Sequence, residues 1–266
     1  MTSLWRVSVR VPSGRSEETR ATFLTLAPKG FEELDVDGQL ELALYVNAEE
    51  LGDLRARVHG ATIAPVEDGW EDAWRAFHRP VEVAGIWVGP PWESPPDPSR
   101  AVVIDPGRAF GTGAHATTRL CIELLAGLGR TGSLLDVGCG SGVLGIAAAR
   151  LGFAPITCVD VDPVAVETTT ENAAANGVEL EARVVDALTE PLPAADVAVA
   201  NVLLDPVAAI LLRLDVGVAI TSGYLQDERP AHPGWSHVET ATADGWAADG
   251  FRRLTVTCPT GAPRQR

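Results

Sequence analysis

This chain of 266 residues has one methionine, two tyrosines, four cysteines and a single lysine, Lys29. With 36 acidic residues against 21 basic ones, its net charge is −15, and no basic block interrupts the sequence. Sequence-independent nucleic-acid binding requires clustered Lys or Arg to neutralise phosphates, so no direct nucleic-acid partner is expected. Cysteine is too scattered for zinc or redox chemistry. Cys121, Cys139, Cys158 and Cys258 form no C-x-x-C pair and read as small buried thiols, and no metal site is predicted. No apolar run approaches the roughly 18 residues of a membrane span, and the opening MTSLWRVSVRVP lacks the apolar centre of a signal peptide. A soluble, cytoplasmic protein with no membrane partner is therefore expected. The acidic surface suits a basic protein partner, and it suits simple solubility equally well.

What the chain does have is a hydrophobic content of 46%, ample for globular cores, and one informative stretch, LLDVGCGSG, from Leu134 to Gly142. Leu134, Leu135 and Val137 make a short apolar strand carrying Asp136. Gly138, Gly140 and Gly142 then turn the chain, and VLGIAAARL has helix-forming composition. A dinucleotide site calls for G-x-G-x-x-G, but the position three after Gly140 is Val143 and the third glycine falls at Gly142. The following strand, ITCVDVD, places Asp160 about 20 residues beyond the glycines, where a carboxylate meets ribose hydroxyls in nucleotide-binding α/β units. Asp162 then suits an N-cap, Pro163 a first helical position and Gly177 a helix stop, which predicts a helix over 163–176. A third strand, LEARVVDA, ends at Asp186, either an adenine contact or a solvated loop acid. ADVAVANVLLDP supplies a fourth strand ending at Asn201, and VGVAITSG supplies a fifth. Strands alternating with helices in this way predict a Rossmann-like, doubly wound, mostly parallel sheet with its ligand at the carboxyl ends of the strands.

Ahead of this α/β domain, placed at 99–266, the first 65 residues read βαββαβ: LWRVSVRVP, SEETRATFLTLA, the hairpin FEELDVDGQLELALYVN, AEELGDLRARVHG and ATIAPVED. That order predicts a small ferredoxin-like α+β domain. A linker is expected over 66–98. There DGWEDAWRAFHRPVEV sets Trp70, Trp74 and Phe77 at helical spacing, and GPPWESPPDPSR reads as an irregular connection.

The segment VVIDPGRAFGTGAHATTRLCIELL, Val102 to Leu125, contains D-P-G-x-A-F-G-T-G-x-H-x-T-T. It resembles the signature of the ribosomal protein L11 methyltransferases, which are S-adenosylmethionine-dependent class I enzymes. D-V-G-C-G-S-G, V-D-V-D-P, V-A-N-V-L and the S-G after the fifth strand follow in the family's order. The resemblance implies that Thr118, Gly138, Asp160 and Asn201 contact cofactor or target. It also implies that Phe110, Gly111, Thr112 and Gly113 form a loop over the methionine end of the cofactor, with His115 helping to shape that loop. Asp136, Gly140 and Asp186 complete the expected cofactor set, and Asn201 is the expected catalytic residue.

The implied activity is methyl transfer to lysine side chains or the N-terminal α-amine of ribosomal protein L11, with the small domain recruiting that substrate. Departures from the family pattern bear on the substrate. Ala116 stands where proline is common, Leu204 and Asp205 follow N-V-L, the P-G-G turn before strand five is missing, and YLQDERPAHPGWSHVE is too short and proline-broken for a full helix. The alternatives are methylation of another protein or of a small amine, a nicotinamide-dependent oxidoreductase, and a non-catalytic nucleotide-binding module. Val143 and the absence of a Tyr-x-x-x-Lys relay oppose the oxidoreductase, and the D-P-G to T-T signature opposes the binding module.

Overall fold

Nine residues of alternating character, LWRVSVRVP, form the first antiparallel strand, β1 (Leu4–Pro12). The computed structural model describes residues 4–12, 19, 22–23, 26, 32–36, 39–47, 51–58, 60–66, 78–105, 113–129 and 132–254. The chain divides into two compact units, 1–79 with 107–110, and 80–106 with 111–266.

In the first unit β1 is followed by β2 (Glu32–Val36), β3 (Gln39–Asn47), helix α1 (Leu51–Arg57) and β4 (Thr62–Pro65). The strands lie in the order β2-β3-β1-β4 with every pair antiparallel, the order of a ferredoxin-like sheet. Val7 pairs with Leu44 on one side and Ile63 on the other. Val7, Phe23, Leu42, Leu44, Leu54 and Val58 fill a core of this unit's own. Of the first expected helix, Thr19, Thr22, Phe23 and Leu26 are described, and all are helical. Trp70, Trp74 and Phe77 lie outside the described residues.

The second unit begins with strands that sequence reasoning did not anticipate. β5 (Val81–Val83) and β6 (Ile86–Gly89), where the end of a linker was expected, form a small sheet with β7 (Ala101–Val103). The hairpin between β5 and β6 turns through Ala84 at φ 51° and Gly85 at φ 73°. Asn or Asp normally precedes Gly in such a turn, so the usual signal is missing. Arg100 compensates by donating Nε–H to the Gly85 carbonyl at 2.6 Å.

After helix α2 (Ala116–Gly127) the order is β8 (Leu134–Val137), α3 (Val143–Arg150), β9 (Ile156–Asp160), α4 (Pro163–Ala175), β10 (Glu181–Val184), β11 (Val197–Asn201), α5 (Leu204–Arg213), β12 (Val218–Leu225), β13 (Trp235–Ala243) and β14 (Trp246–Arg253). The sheet runs β10-β9-β8-β11-β12-β14-β13, parallel from β10 to β12, with β14 antiparallel to both of its neighbours. This is the expected doubly wound α/β sheet, closed at one edge by an antiparallel hairpin. Alternate residues face two cores. Leu134, Val199, Ile220 and Ala248 join Leu120 of α2 and Ile146 of α3. Leu135, Ala198, Ala219 and Phe251 join Ile210 and Leu211 of α5. β10 ends at Val184, two residues before Asp186, and 226–234 carries no helix, as its prolines predict.

The chain winds from β8 outward to β9 on one side and to β11 on the other. The topological switch point therefore lies between the carboxyl ends of β8 and β11, where ligands of open α/β sheets bind. Ala200 pairs with Val137, so Asn201 stands level with Gly138 at that crevice.

Candidate active site

Three glycines at positive φ, Gly138 at 73°, Gly140 at 54° and Gly142 at 78°, turn the chain from β8 into α3. The backbone N–H groups of Gly138 and Cys139 both donate to the Val159 carbonyl, at 2.8 and 3.1 Å. Helix α4 holds the loop from behind. Thr169 Oγ1 donates to the Gly140 carbonyl at 3.0 Å, and Asn172 Nδ2 donates to that of Ser141 at 2.8 Å. Asp162 caps α4 by accepting from Val164 N–H at 2.9 Å, with Pro163 next and Gly177 at φ 62° beyond the end, as expected. Thr169 and Asn172 carry no local signal in the sequence, because their role is set by packing alone.

Gly138 is required by crowding as well as by φ: a Cβ there would lie 2.4 Å from Val202 Cγ1. On the opposite side Gly223, at φ 105°, meets the same residue, and a Cβ would fall 2.0 Å from the Val202 carbonyl oxygen. The segment after Asn201 is thus clamped between β8 and β12 by two residues that must lack side chains.

Asp160, at the end of β9, uses each carboxylate oxygen once. Oδ2 accepts from Gly140 N–H and Oδ1 from Asp162 N–H, both at 3.0 Å. Each oxygen keeps a second acceptor position, so the carboxylate is aimed and still able to take two hydroxyls. Asp186 instead organises its own turn. It accepts from Leu188 N–H at 2.9 Å and Thr189 Oγ1 at 2.8 Å, and these bonds hold its pKa below the usual carboxylate value. Gly113, at φ 84°, packs against Val88 of β6, whereas Phe110, Gly111 and Thr112 lie outside the described residues.

Asp136 differs from the expectation for a residue lining the loop. It is 1% exposed and turned inward, where Oδ2 accepts from Gly145 N–H in the first turn of α3 at 3.0 Å. Oδ1 has no partner among the described residues. Burial, reinforced by the charge of Asp160 and partly offset by the Gly145 bond, pushes its pKa up to about 7. In the unfolded chain the same carboxyl ionises near 3.9. The raised value therefore means that stability present at low pH is lost as pH rises from about 4 to about 7 and stays constant above that. Asp136→Asn removes this loss. Its stability relative to the parent is expected to grow by up to about 4 kcal/mol across that range, at 1.36 kcal/mol per unit. Urea titrations at pH 5 and pH 8 capture about two of these three units, a gain of roughly 2.7 kcal/mol, and a pH-independent difference would show that the carboxyl ionises freely in the fold.

Asn201, half-buried at the end of β11, is the residue on which several elements converge. Its Nδ2 donates to Thr117 Oγ1 at 3.1 Å and to Thr118 Oγ1 at 3.4 Å, both at the start of α2. Its Oδ1 accepts no hydrogen bond among the described residues, and so it remains available as an acceptor at the crevice. Thr118, 2% exposed, is thereby placed beside Asn201, with Thr117 closer still. His115 caps α2, and its ring meets that of Trp246 edge-on with centroids 4.9 Å apart. Thr117 and Trp246 were not singled out in the sequence. The place of Trp246 depends on β14 running antiparallel beside β12, and that of Thr117 on α2 meeting the end of β11, neither of which a local pattern announces. The buried thiol of Cys139 has its pKa raised by burial and by Asp136, the opposite of an activated nucleophile.

The family model described as "Ribosomal protein L11 methyltransferase (PrmA)" matches residues 32–253. A ribosomal protein L11 methyltransferase from Heliobacterium modesticaldum is 39% identical over 84% of this chain and 78% of its own length. One from Legionella pneumophila is 36% identical over 79% of this chain and 76% of its own. The crystal structure of ribosomal protein L11 methylase from Lactobacillus delbrueckii subsp. bulgaricus superposes with a TM-score of 0.58 and 27% identity, covering 64% of this chain and 95% of that one. On the order of its motifs, the topology of its sheet and the extent of these matches, the chain belongs to the ribosomal protein L11 methyltransferase family.

Proposed function

We propose that the protein methylates amine groups of ribosomal protein L11, lysine side chains or the N-terminal α-amine, and that Asn201 is the residue that receives the amine. The observation that carries this reading is the Asn201 amide. Its donor side is engaged by the threonine pair, its Oδ1 accepts no hydrogen bond among the described residues, and the residue stands level with Gly138 at the switch point.

The cofactor is S-adenosylmethionine, and the residues present suit it. Asp160 is held by the N–H groups of Gly140 and Asp162 with acceptor positions to spare for a pair of hydroxyls, and Gly138, Gly140 and Gly142 keep side chains off the loop surface. When bound, it supplies a methyl group on a sulfonium centre, which an amine lone pair displaces in line. The chain itself has to deliver a neutral amine. For a lysine with a reference pKa of about 10.4, deprotonation near pH 7.4 costs about 4 kcal/mol, which a water-poor crevice lowers by disfavouring the ammonium. Asn201 Oδ1 accepts an amine hydrogen and so directs the lone pair away from itself. The Val202 carbonyl, held in place opposite Gly223, is the adjacent acceptor. No general base is invoked: once the neutral amine is bound, alignment is the protein's main task.

Gly140, Asp160 and Asp186 are assigned to the cofactor, with Asp186 at its adenine end. Phe110, Thr112 and Gly113 are assigned to the loop over its methionine end, and Thr118 to the contact between that loop and Asn201. Asp136 supports the glycine loop from beneath through α3. The ferredoxin-like unit, which has its own core, is assigned the recruitment of L11. No described helix is long and apolar enough to cross a membrane. We place the enzyme in the cytoplasm with no membrane or nucleic-acid partner.

Asp160→Ala tests the cofactor site. Hydrogen bonds to a charged group contribute roughly 1.5–3 kcal/mol, so affinity for S-adenosylmethionine is expected to fall by about one to two orders of magnitude. Titration calorimetry gives the value, and unchanged affinity would remove Asp160 from the site. The same titration with NAD is expected to show no binding.

A further inference from the structure

The amide of Asn201 is useful to an amine only in one of its two orientations. With Oδ1 toward the crevice it accepts an amine hydrogen, whereas rotated by a half-turn it would oppose N–H groups to N–H groups. Something behind the residue has to hold the orientation.

His115 and Thr117 have the geometry to do so. His115 Nδ1 lies 2.8 Å from Thr117 Oγ1 and also accepts the backbone N–H of Thr117, at 3.4 Å, as the cap of α2. A ring nitrogen that accepts a backbone N–H carries no proton, so the Thr117 hydroxyl donates to it as well. The hydroxyl then turns its lone pairs toward Asn201 and can receive Nδ2–H at 3.1 Å. All the bonds run in one direction, from Asn201 to Thr117 to His115. Thr117 is 4% exposed, so water has little access with which to replace a lost partner.

The far end is fixed as well. Trp246 closes on the His115 ring from the start of β14, and the hairpin tip that carries it is tied to α2 by the ion pair between Asp244 and Arg119. The Gly245 carbonyl also accepts Gln226 N–H at 2.9 Å, which joins the tip to the end of β12.

We propose that His115 and Thr117 are positioning residues that fix the Asn201 amide with its oxygen toward the incoming amine. This rests on the reading of Asn201 given above, and the test separates the two. Single-turnover methylation of purified L11 by the full chain, at saturating S-adenosylmethionine, is measured for Thr117→Val, Thr117→Ser, Asn201→Ala and the double variant Thr117→Val/Asn201→Ala. Thr117→Val keeps the branched shape and loses the hydroxyl. Its rate constant is expected to fall roughly 10-fold or more, with cofactor affinity within about 2-fold of the parent. Thr117→Ser restores the hydroxyl and is expected to restore the rate. Because Thr117 acts through Asn201, the double variant is expected to be no slower than Asn201→Ala alone. His115→Ala is expected to behave like Thr117→Val, and His115→Asn, whose oxygen can cap α2 and accept the hydroxyl, is expected to recover activity.

A normal rate for Asn201→Ala would overturn the reading of Asn201 and the relay together. A slow Asn201→Ala beside a normal Thr117→Val would overturn the relay alone. A double variant slowed by the full product of the two single effects, or a Thr117→Val whose loss lies wholly in cofactor affinity, would likewise show that Thr117 does not act through Asn201.

Discussion

Asn201→Ala is expected to lower the methylation rate constant for L11 by roughly 100-fold or more while leaving the affinity for S-adenosylmethionine within a few-fold of the parent, the pattern of a contact made chiefly in the transition state. Asn201 closes β11 beside the glycine loop, its Nδ2 is bound to α2, and the residue after it is wedged between Gly138 and Gly223. Truncation to Ala removes the side-chain acceptor and leaves the wedge in place, so the crevice keeps its shape but no longer aligns the amine. Rapid-mixing single turnovers give the rate, and calorimetry gives the affinity. A normal rate constant would reduce Asn201 to an ordinary residue at a strand end. An affinity loss as large as the rate loss would make it a cofactor ligand only.

The second large effect concerns the ferredoxin-like unit. A chain beginning near Val66 is expected to keep the parallel sheet and to bind S-adenosylmethionine, because Gly138, Gly140, Asp160, Asp186 and Asn201 all lie in the second unit. Methylation of intact L11 by that chain is expected to fall by at least about 100-fold, since effective molarities lost with the anchoring of a flexible amine are large. Activity is read by mass spectrometry of L11, and folding by the retained cofactor affinity. A shortened chain that methylates L11 as well as the full one would take recruitment away from this unit.

How far the sequence spoke for the structure depended on whether a residue's role is local. The glycines of the loop, Asp160 at the end of β9, the Asp162-Pro163 helix start and Asn201 at the end of β11 could all be placed from sequence, because backbone conformation and strand ends dictate them. The order β2-β3-β1-β4 likewise followed from a clear strand and helix pattern in the first 65 residues. β5 and β6 were missed because their hairpin turns through Ala84 rather than Asn or Asp. Thr117, Thr169, Asn172 and Trp246 were missed for a different reason: each meets its partner across the fold, and no spacing of residues along the chain encodes that meeting.

Asp136 shows the limit most clearly. An acid before a glycine loop suggests a ligand contact, yet Val137 intervenes before the strand ends. The central β8 is buried on both faces, so a side chain at 136 has only the interior to enter. The position within the strand held that information, and the motif obscured it. The hairpin of β13 and β14 had the weakest signal of all, because the outer strand is an edge with polar residues on much of its length.

The most direct test of the account as a whole is intact-mass spectrometry of purified ribosomal protein L11 incubated with the full chain, with S-adenosylmethionine present and with it withheld. The account predicts whole-methyl increments on L11 only when the cofactor is present, mapping to lysine side chains or the N-terminal amine, and their loss with Asn201→Ala. An enzyme that binds S-adenosylmethionine at the glycine loop and leaves the mass of L11 unchanged would contradict it.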